Sequence, residues 1–154
     1  MTELLQPSAI RVGATAADWR EAVRVAGDAL VASGSTTAAY IGEMIATVEQ
    51  LGPYIVIAPG IALAHSRPSP AVRRPGISLV TLASPVPFGH STNDPVRLVV
   101  GLASPDDEGH VTALATLAGF LADDDRRERL LASPDAETVR ALVADYEKGG
   151  MQAR

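Results

Sequence analysis

The sequence predicts an α/β fold: one domain with a central mixed sheet flanked by helices on both faces. Three observations predict it. Two amphipathic helical patterns occupy the first third of the chain. Near-continuous apolar runs follow in the middle, at Tyr54–Ala58, Gly76–Leu82 and Val96–Leu102. Helical periodicity then returns to the end. Apolar runs of that length suit strands covered on both sides, so the flanking helices must supply two covering layers.

Each element has a local reason. A short strand is expected at Ile10–Val12, after a loose lead-in over residues 1–9. Thr15 offers a helix cap with Asp18 three positions on. Trp19, Ala22, Val23, Ala26, Ala29 and Leu30 then recur at helical spacing, and Gly34 stops the run. A second helix is expected from Thr36 or Thr37, with Ile41, Met44, Ile45 and Val48 on one face and Gly52-Pro53 as its end. The stretches Ser66–Pro75 and Ala83–Pro95 read as polar, proline-rich loops of the kind that carry function in compact domains. A third helix is expected near Gly109-His110, carrying Leu114, Leu117 and Leu121. A short helix over Arg126–Ala132 follows. The last helix takes Ser133 as cap and Pro134 as first residue, with Val139, Leu142, Val143 and Tyr146 inward.

Composition narrows the function. At 154 residues the chain suits one hydrophobic core, and no repeat or linker divides it. The apolar fraction of 47% excludes disorder as the main description. Aromatic residues make up only 4%, so Ala, Val, Leu and Ile must fill the core. The net charge of −5, with no basic stretch, argues against a nucleic-acid partner. With no cysteine there is no disulfide, thiol nucleophile or cysteine-ligated zinc. The first residues lack a secretory pattern, and no apolar run reaches the roughly 18 residues needed to cross a bilayer. A cytoplasmic protein without membrane insertion is expected.

His65 is the first candidate for chemistry. An apolar segment, Ala58–Ala64, delivers its imidazole to the mouth of a polar, proline-bounded loop. A neutral imidazole there can serve as nucleophile, acid, base or ligand, although a lone histidine at a strand end is more often a hydrogen-bonded structural residue than a reactive one. His90 and His110 are the other two. Separations of 25 and 20 residues match no compact zinc motif, so no metal is expected. Ser66 adjoins His65 and no Gly-x-Ser-x-Gly elbow occurs, which argues against a hydrolase triad. Walker and dinucleotide fingerprints are likewise missing, and no cofactor is expected.

Three segments together point further: Gly52-Pro53-Tyr54-Ile55-Val56-Ile57-Ala58-Pro59-Gly60-Ile61-Ala62-Leu63-Ala64-His65-Ser66-Arg67-Pro68, Phe88–Val96, and Ala103–His110 running into Leu114 and Leu117. Trp19–Ala22 and Tyr40–Met44 fit as well. In these the chain resembles the type-2 enzyme IIA (EIIA) domain of the bacterial phosphoenolpyruvate-dependent sugar phosphotransferase system (PTS), the mannitol/fructose superfamily, and within it the ascorbate-type branch. The resemblance spans about residues 10–147 within a single domain of 1–154.

The resemblance implies a phosphoryl relay. His65 falls on the phosphorylated histidine, which accepts from phospho-HPr and passes the group to a cysteine of an EIIB protein serving a membrane EIIC. His110 falls on the second histidine of the site, at a helix start suited to anions. The turn at Ser66 and Arg67 offers further phosphate-binding groups. Arg67, Arg73 and Arg74 could attract the phosphoryl group or form a solvated loop cluster. His90 could shape the site or stabilise a turn. Asp106, Asp107 and Glu108 complement the following helix end, or meet cations of HPr.

One departure matters. The mannitol and fructose branches carry an arginine about sixteen residues before the active histidine, where this chain reads Val48-Glu49-Gln50-Leu51. That favours the ascorbate-like assignment. The chain shows no IIB or IIC region, so a separate phosphocarrier is expected, with a homodimer left open. A regulatory EIIA of the nitrogen type, signalling by phosphorylation-dependent docking, is the alternative. A small-molecule hydrolase is the third reading.

Overall fold

The computed structural model describes residues 3–152; the side chains of Asp107, Gly109, His110, Ala113 and residues 149–152 lie outside the described set. Five strands form one open mixed sheet: β1 (Ile10–Ala14), β2 (Val56–Ala58), β3 (Ile61–Ala64), β4 (Gly76–Val86) and β5 (Val96–Ala103). Their order is β1-β4-β5-β3-β2. The pairs β1/β4 and β3/β5 are parallel, while β4/β5 and β2/β3 are antiparallel. The helices are α1 (Trp19–Ala32), α2 (Ala39–Leu51), α3 (Asp107–Leu121), α4 (Asp124–Leu131) and α5 (Ala136–Gln152).

The α/β architecture expected from the sequence is the one observed, with a layer of helices on each face. Period-2 alternation in β3 shows how one strand serves both layers. Ala62 and Ala64 join the cluster of α1 and α2 residues, which includes Val23, Leu30, Tyr40 and Met44. Ile61 and Leu63 join Leu117, Phe120, Leu130, Val139 and Val143 from α3, α4 and α5. All four β3 residues are buried.

Several boundaries differ from expectation. Tyr54–Ala58 is not one strand: Pro53–Ile55 forms a 3-10 turn, and only Val56–Ala58 pairs. Gly60, at φ +76, then lets the chain fold straight back into β3. β4 runs on to Val86, so the loop before β5 is shorter than the polar composition of 83–95 suggested. Asp18, not Thr15, caps α1, its carboxylate accepting from the Glu21 amide at 2.9 Å. Residues Thr36 and Thr37 precede α2, and Thr36 forms an isolated bridge with Val72. At the last helix Asp135, not Ser133, accepts from the Thr138 amide at 2.8 Å, while Ser133 donates back to the Arg129 carbonyl. A carboxylate capping a helix N-terminus accepts a charge-assisted bond, which wins over a neighbouring hydroxyl or threonine.

A tight contact between layers lies where α1 crosses the sheet. Ser78 on β4 donates to the Ala26 carbonyl of α1 at 2.8 Å. Gly101, its neighbour on β5, leaves room for that bond: a Cβ there would stand 2.2 Å from Ser78 Oγ and 3.3 Å from the Ala26 oxygen. Overpacking of this kind costs about 1–3 kcal/mol. Gly101→Ala is therefore expected to lower stability by that amount in chemical denaturation. Ser78→Ala in the same chain should recover part of the loss, because the two sites share one space.

Candidate active site around His65

His65 sits immediately after β3, and the pairing of strands decides what lies beside it. β3 and β5 are parallel in the register Ile61↔Leu98 through Ala64↔Gly101. Their C-terminal ends are therefore side by side, the edge at which open α/β sheets place ligands. The residues after β5 lead directly into α3. The segments after the two strands face each other across a shallow cleft lined by Arg67, Pro68, Pro105 and Asp106. His110 lies in the first turn of α3 at this same edge; its side chain is outside the described residues.

Tyr40 fixes the corner. It is fully buried on α2, and its hydroxyl has three partners. It accepts from the Ser66 amide at 3.0 Å and donates to the Leu102 carbonyl at 2.9 Å, with the Ser66 carbonyl at 3.2 Å. One phenol thus ties α2, the end of β3 and the end of β5 together. Burial pushes its pKa from 10.0 up to about 12.

The imidazole is oriented by the backbone of its own strand. His65 Nδ1 lies 3.0 Å from the Leu63 carbonyl oxygen. A carbonyl can only accept, so Nδ1 carries the proton and the in-plane lone pair of the neutral ring belongs to Nε2, on the opposite edge. The ring is half-buried. Tyr54 meets it edge to face, with centroids 6.3 Å apart at 76°.

A cleft of about 660 Å³ opens beside the ring, between the α2 face (Glu43, Ala46, Thr47, Gln50, Leu51) and Tyr54, Ser66, Arg67 and Pro68. Among these lining residues Arg67 carries the one positive charge and Glu43 the one carboxylate. Arg67 is exposed and makes no hydrogen bond or ion pair among the described residues. Ser66 contributes differently from expectation. Its amide is committed to Tyr40, and its hydroxyl lies 3.1 Å from Thr47 Oγ1. Thr47 in turn donates to the Glu43 carbonyl at 2.9 Å, which leaves Ser66 as the donor in their pair.

Arg74 and His90 have other roles. The Arg74 guanidinium donates to the Ser33 carbonyl and braces the end of α1. Glu49, of the Val48–Leu51 stretch, is paired at 3.1 Å with Arg20 of α1. His90 Nδ1 accepts from the amides of Thr92 and Asn93 at 3.1 and 3.0 Å and closes a turn. The Asn93 carbonyl of that loop accepts from the Gly60 amide at 2.9 Å, at the start of β3. Five residues of extended chain, roughly 16 Å, separate that point from His65. The loop is shaped by Asp94, whose carboxylate accepts from the amides of Phe88, Gly89 and His90. His90 is a turn residue. Among the described residues, His65 and the loop of His90 lie at opposite ends of β3.

Sequence reasoning missed Tyr40, Glu43, Thr47 and Tyr54. Tyr40 and Tyr54 belong to the segments that carry the resemblance, but nothing in their spacing marks one as a buried hub and the other as a cleft wall.

Residues 3–146 match the family model described as "Phosphoenolpyruvate-dependent sugar phosphotransferase system, EIIA 2". The chain belongs to this family. An ascorbate-specific PTS EIIA component of Salmonella choleraesuis is 38% identical over 141 residues, covering 91% of this chain and 92% of that one. Among solved structures, the Escherichia coli complex of mannitol enzyme IIA with phosphorylated mannitol enzyme IIB is similar with a TM-score of 0.81 at 29% identity, covering 92% of this chain and 99% of that one. A nitrogen regulatory IIA protein of Neisseria meningitidis gives 0.78 at 27%, covering 92% and 97%. This EIIA is accordingly a phosphotransferase component of the PTS. No helix among its described residues is long and apolar enough to cross a membrane.

The Tyr40 hub generates two expectations. Tyr40→Phe strips the Ser66 amide and Leu102 carbonyl of a buried partner, at a cost of about 1–3 kcal/mol measurable by urea denaturation. The same variant tests the titration. Below pH 10 the phenol is neutral in both folded and unfolded chains, and its contribution is complete. Between pH 10 and about 12 only the unfolded chain ionises, so stability falls as pH rises, by on the order of 3 kcal/mol in all. Tyr40→Phe should lack that component of the alkaline decline.

Proposed function

We propose that this EIIA accepts a phosphoryl group from phospho-HPr on His65 Nε2 and passes it to a cysteine of a cognate EIIB, in the cytoplasm, for uptake of an ascorbate-type sugar through a membrane EIIC. The observation that carries the reading is the bond between His65 Nδ1 and the Leu63 carbonyl. It holds the proton on one nitrogen and leaves the nucleophilic lone pair on the other, so attack needs no external base. As the new P–N bond forms at Nε2, the P–N bond of the donor breaks. The ring's positive charge is stabilised through Nδ1–H by the carbonyl. Transfer to EIIB reverses the roles: the cysteine thiolate attacks phosphorus, the P–S bond forms as the Nε2–P bond breaks, and that electron pair returns to Nε2.

Charge management falls to groups at the same edge. Arg67, in both clefts, is placed to offset the phosphoryl charge, and the first turn of α3 with His110 offers amide donors and the positive end of a helix dipole. Ser66 holds the corner through its amide and keeps its hydroxyl proton toward Thr47. The transport role over the regulatory one is supported by likeness: 38% identity to the ascorbate-specific component against 27% to the nitrogen regulatory protein.

Phosphoenolpyruvate, enzyme I and HPr should label the wild-type protein, and His65→Ala should take no label. Acid-labile label persisting in that variant would place the acceptor elsewhere. Arg67→Ala and His110→Ala should fold and still label, but transfer to EIIB more slowly; wild-type rates would remove them from the site.

A further inference from the structure

We propose that Tyr54 is a positioning residue for His65, its ring fixing the plane of the imidazole while the Leu63 carbonyl fixes its tautomer. The inference rests on His65 being the phosphoryl acceptor. The hydrogen bond at Nδ1 fixes one line in the ring and its tautomer. The plane is set by contacts out of that line, and Tyr54 supplies one at 6.3 Å and 76°. Aromatic pairs favour this edge-to-face geometry.

The surroundings of Tyr54 indicate that the ring, not the hydroxyl, is what the site uses. The side chain is 49% exposed, yet its hydroxyl has no partner among the described residues. Its backbone, by contrast, is held firmly. Gly52, at φ +83, ends α2, Pro53 opens the 3-10 turn, and Ile55 immediately after is fully buried. An exposed aromatic on a rigid turn, turned against a half-buried imidazole, keeps its place without being part of the core. In-line transfer requires the attacking nitrogen to hold its angle to phosphorus, so loosening the ring plane lowers the fraction of productive encounters.

The test uses the whole protein, with His65 followed by imidazole proton NMR and by phosphotransfer from phospho-HPr. Tyr54→Ala should move the His65 ring-proton shifts, because the ring current is gone, and slow transfer by roughly 3- to 10-fold, the worth of one aromatic pair. Tyr54→Phe should restore both. Leu51→Ala, a cleft residue that is 63% exposed, should leave the His65 shifts unchanged. Slower transfer by Tyr54→Ala with unmoved His65 shifts would overturn the proposal, since the ring would then serve a docking partner. Failure of Tyr54→Phe to restore the rate would also overturn it. If instead His65→Ala still took label, the acceptor assignment would fall, an outcome separate from either of these.

Discussion

The hydroxyl of Tyr40 is the constraint on which the site depends. It is the point where a helix and two parallel strands of the sheet are joined by hydrogen bonds inside the protein. Without it the Ser66 amide would be an unpaired donor at the moment the chain leaves β3, and the backbone next to His65 would have to move to find water. Low dielectric around the phenol strengthens each of its bonds, and the same burial keeps it neutral to about pH 12. His65 is thus presented from a corner anchored on three elements.

Topology supplies the second requirement. A phosphoryl relay needs a nucleophile and anion-stabilising groups within a few ångströms, yet His65 and the start of α3 are some forty residues apart in sequence. Parallel pairing of β3 with β5 brings their C-terminal ends together, and the segments that follow both strands share a cleft. The same parallel pairing puts the loop that precedes β5, with His90, at the start of β3, where the Gly60 amide donates to the Asn93 carbonyl. Which histidines share an edge of the sheet is decided by strand direction.

Much of this was legible in the sequence because the signals are local. The apolar faces of α1 and α2 follow helical spacing, and the buried strands follow from continuous apolar runs. His65 stood out because an apolar segment ends on it. Cap choice was misread at Thr15 and Ser133, where a nearby aspartate offers the stronger acceptor. The break of Tyr54–Ala58 into a turn and a short strand was hidden, since a 3-10 turn and a strand are equally apolar here. Tyr40 was the largest omission. A tyrosine on the buried side of a helix pattern reads as core, and its role depends on carbonyls and amides that folding brings from 26 and 62 residues away. The shared edge of β3 and β5 was equally out of reach, because strand order is set by pairings across the whole chain.

The chemical account comes down to a proton. On the proposed reading, with Nδ1–H held by the Leu63 carbonyl, the imidazole acts as the nucleophile through Nε2, and the partner that docks over the cleft aligns its phosphorus and excludes water. Long-range proton–nitrogen NMR of the His65 ring, before and after phosphorylation, reads this directly. The account predicts the Nδ1–H tautomer in the free protein and phosphorus coupled to Nε2 in the phosphorylated one. A proton on Nε2 in the free protein, or phosphorus on Nδ1, would contradict it.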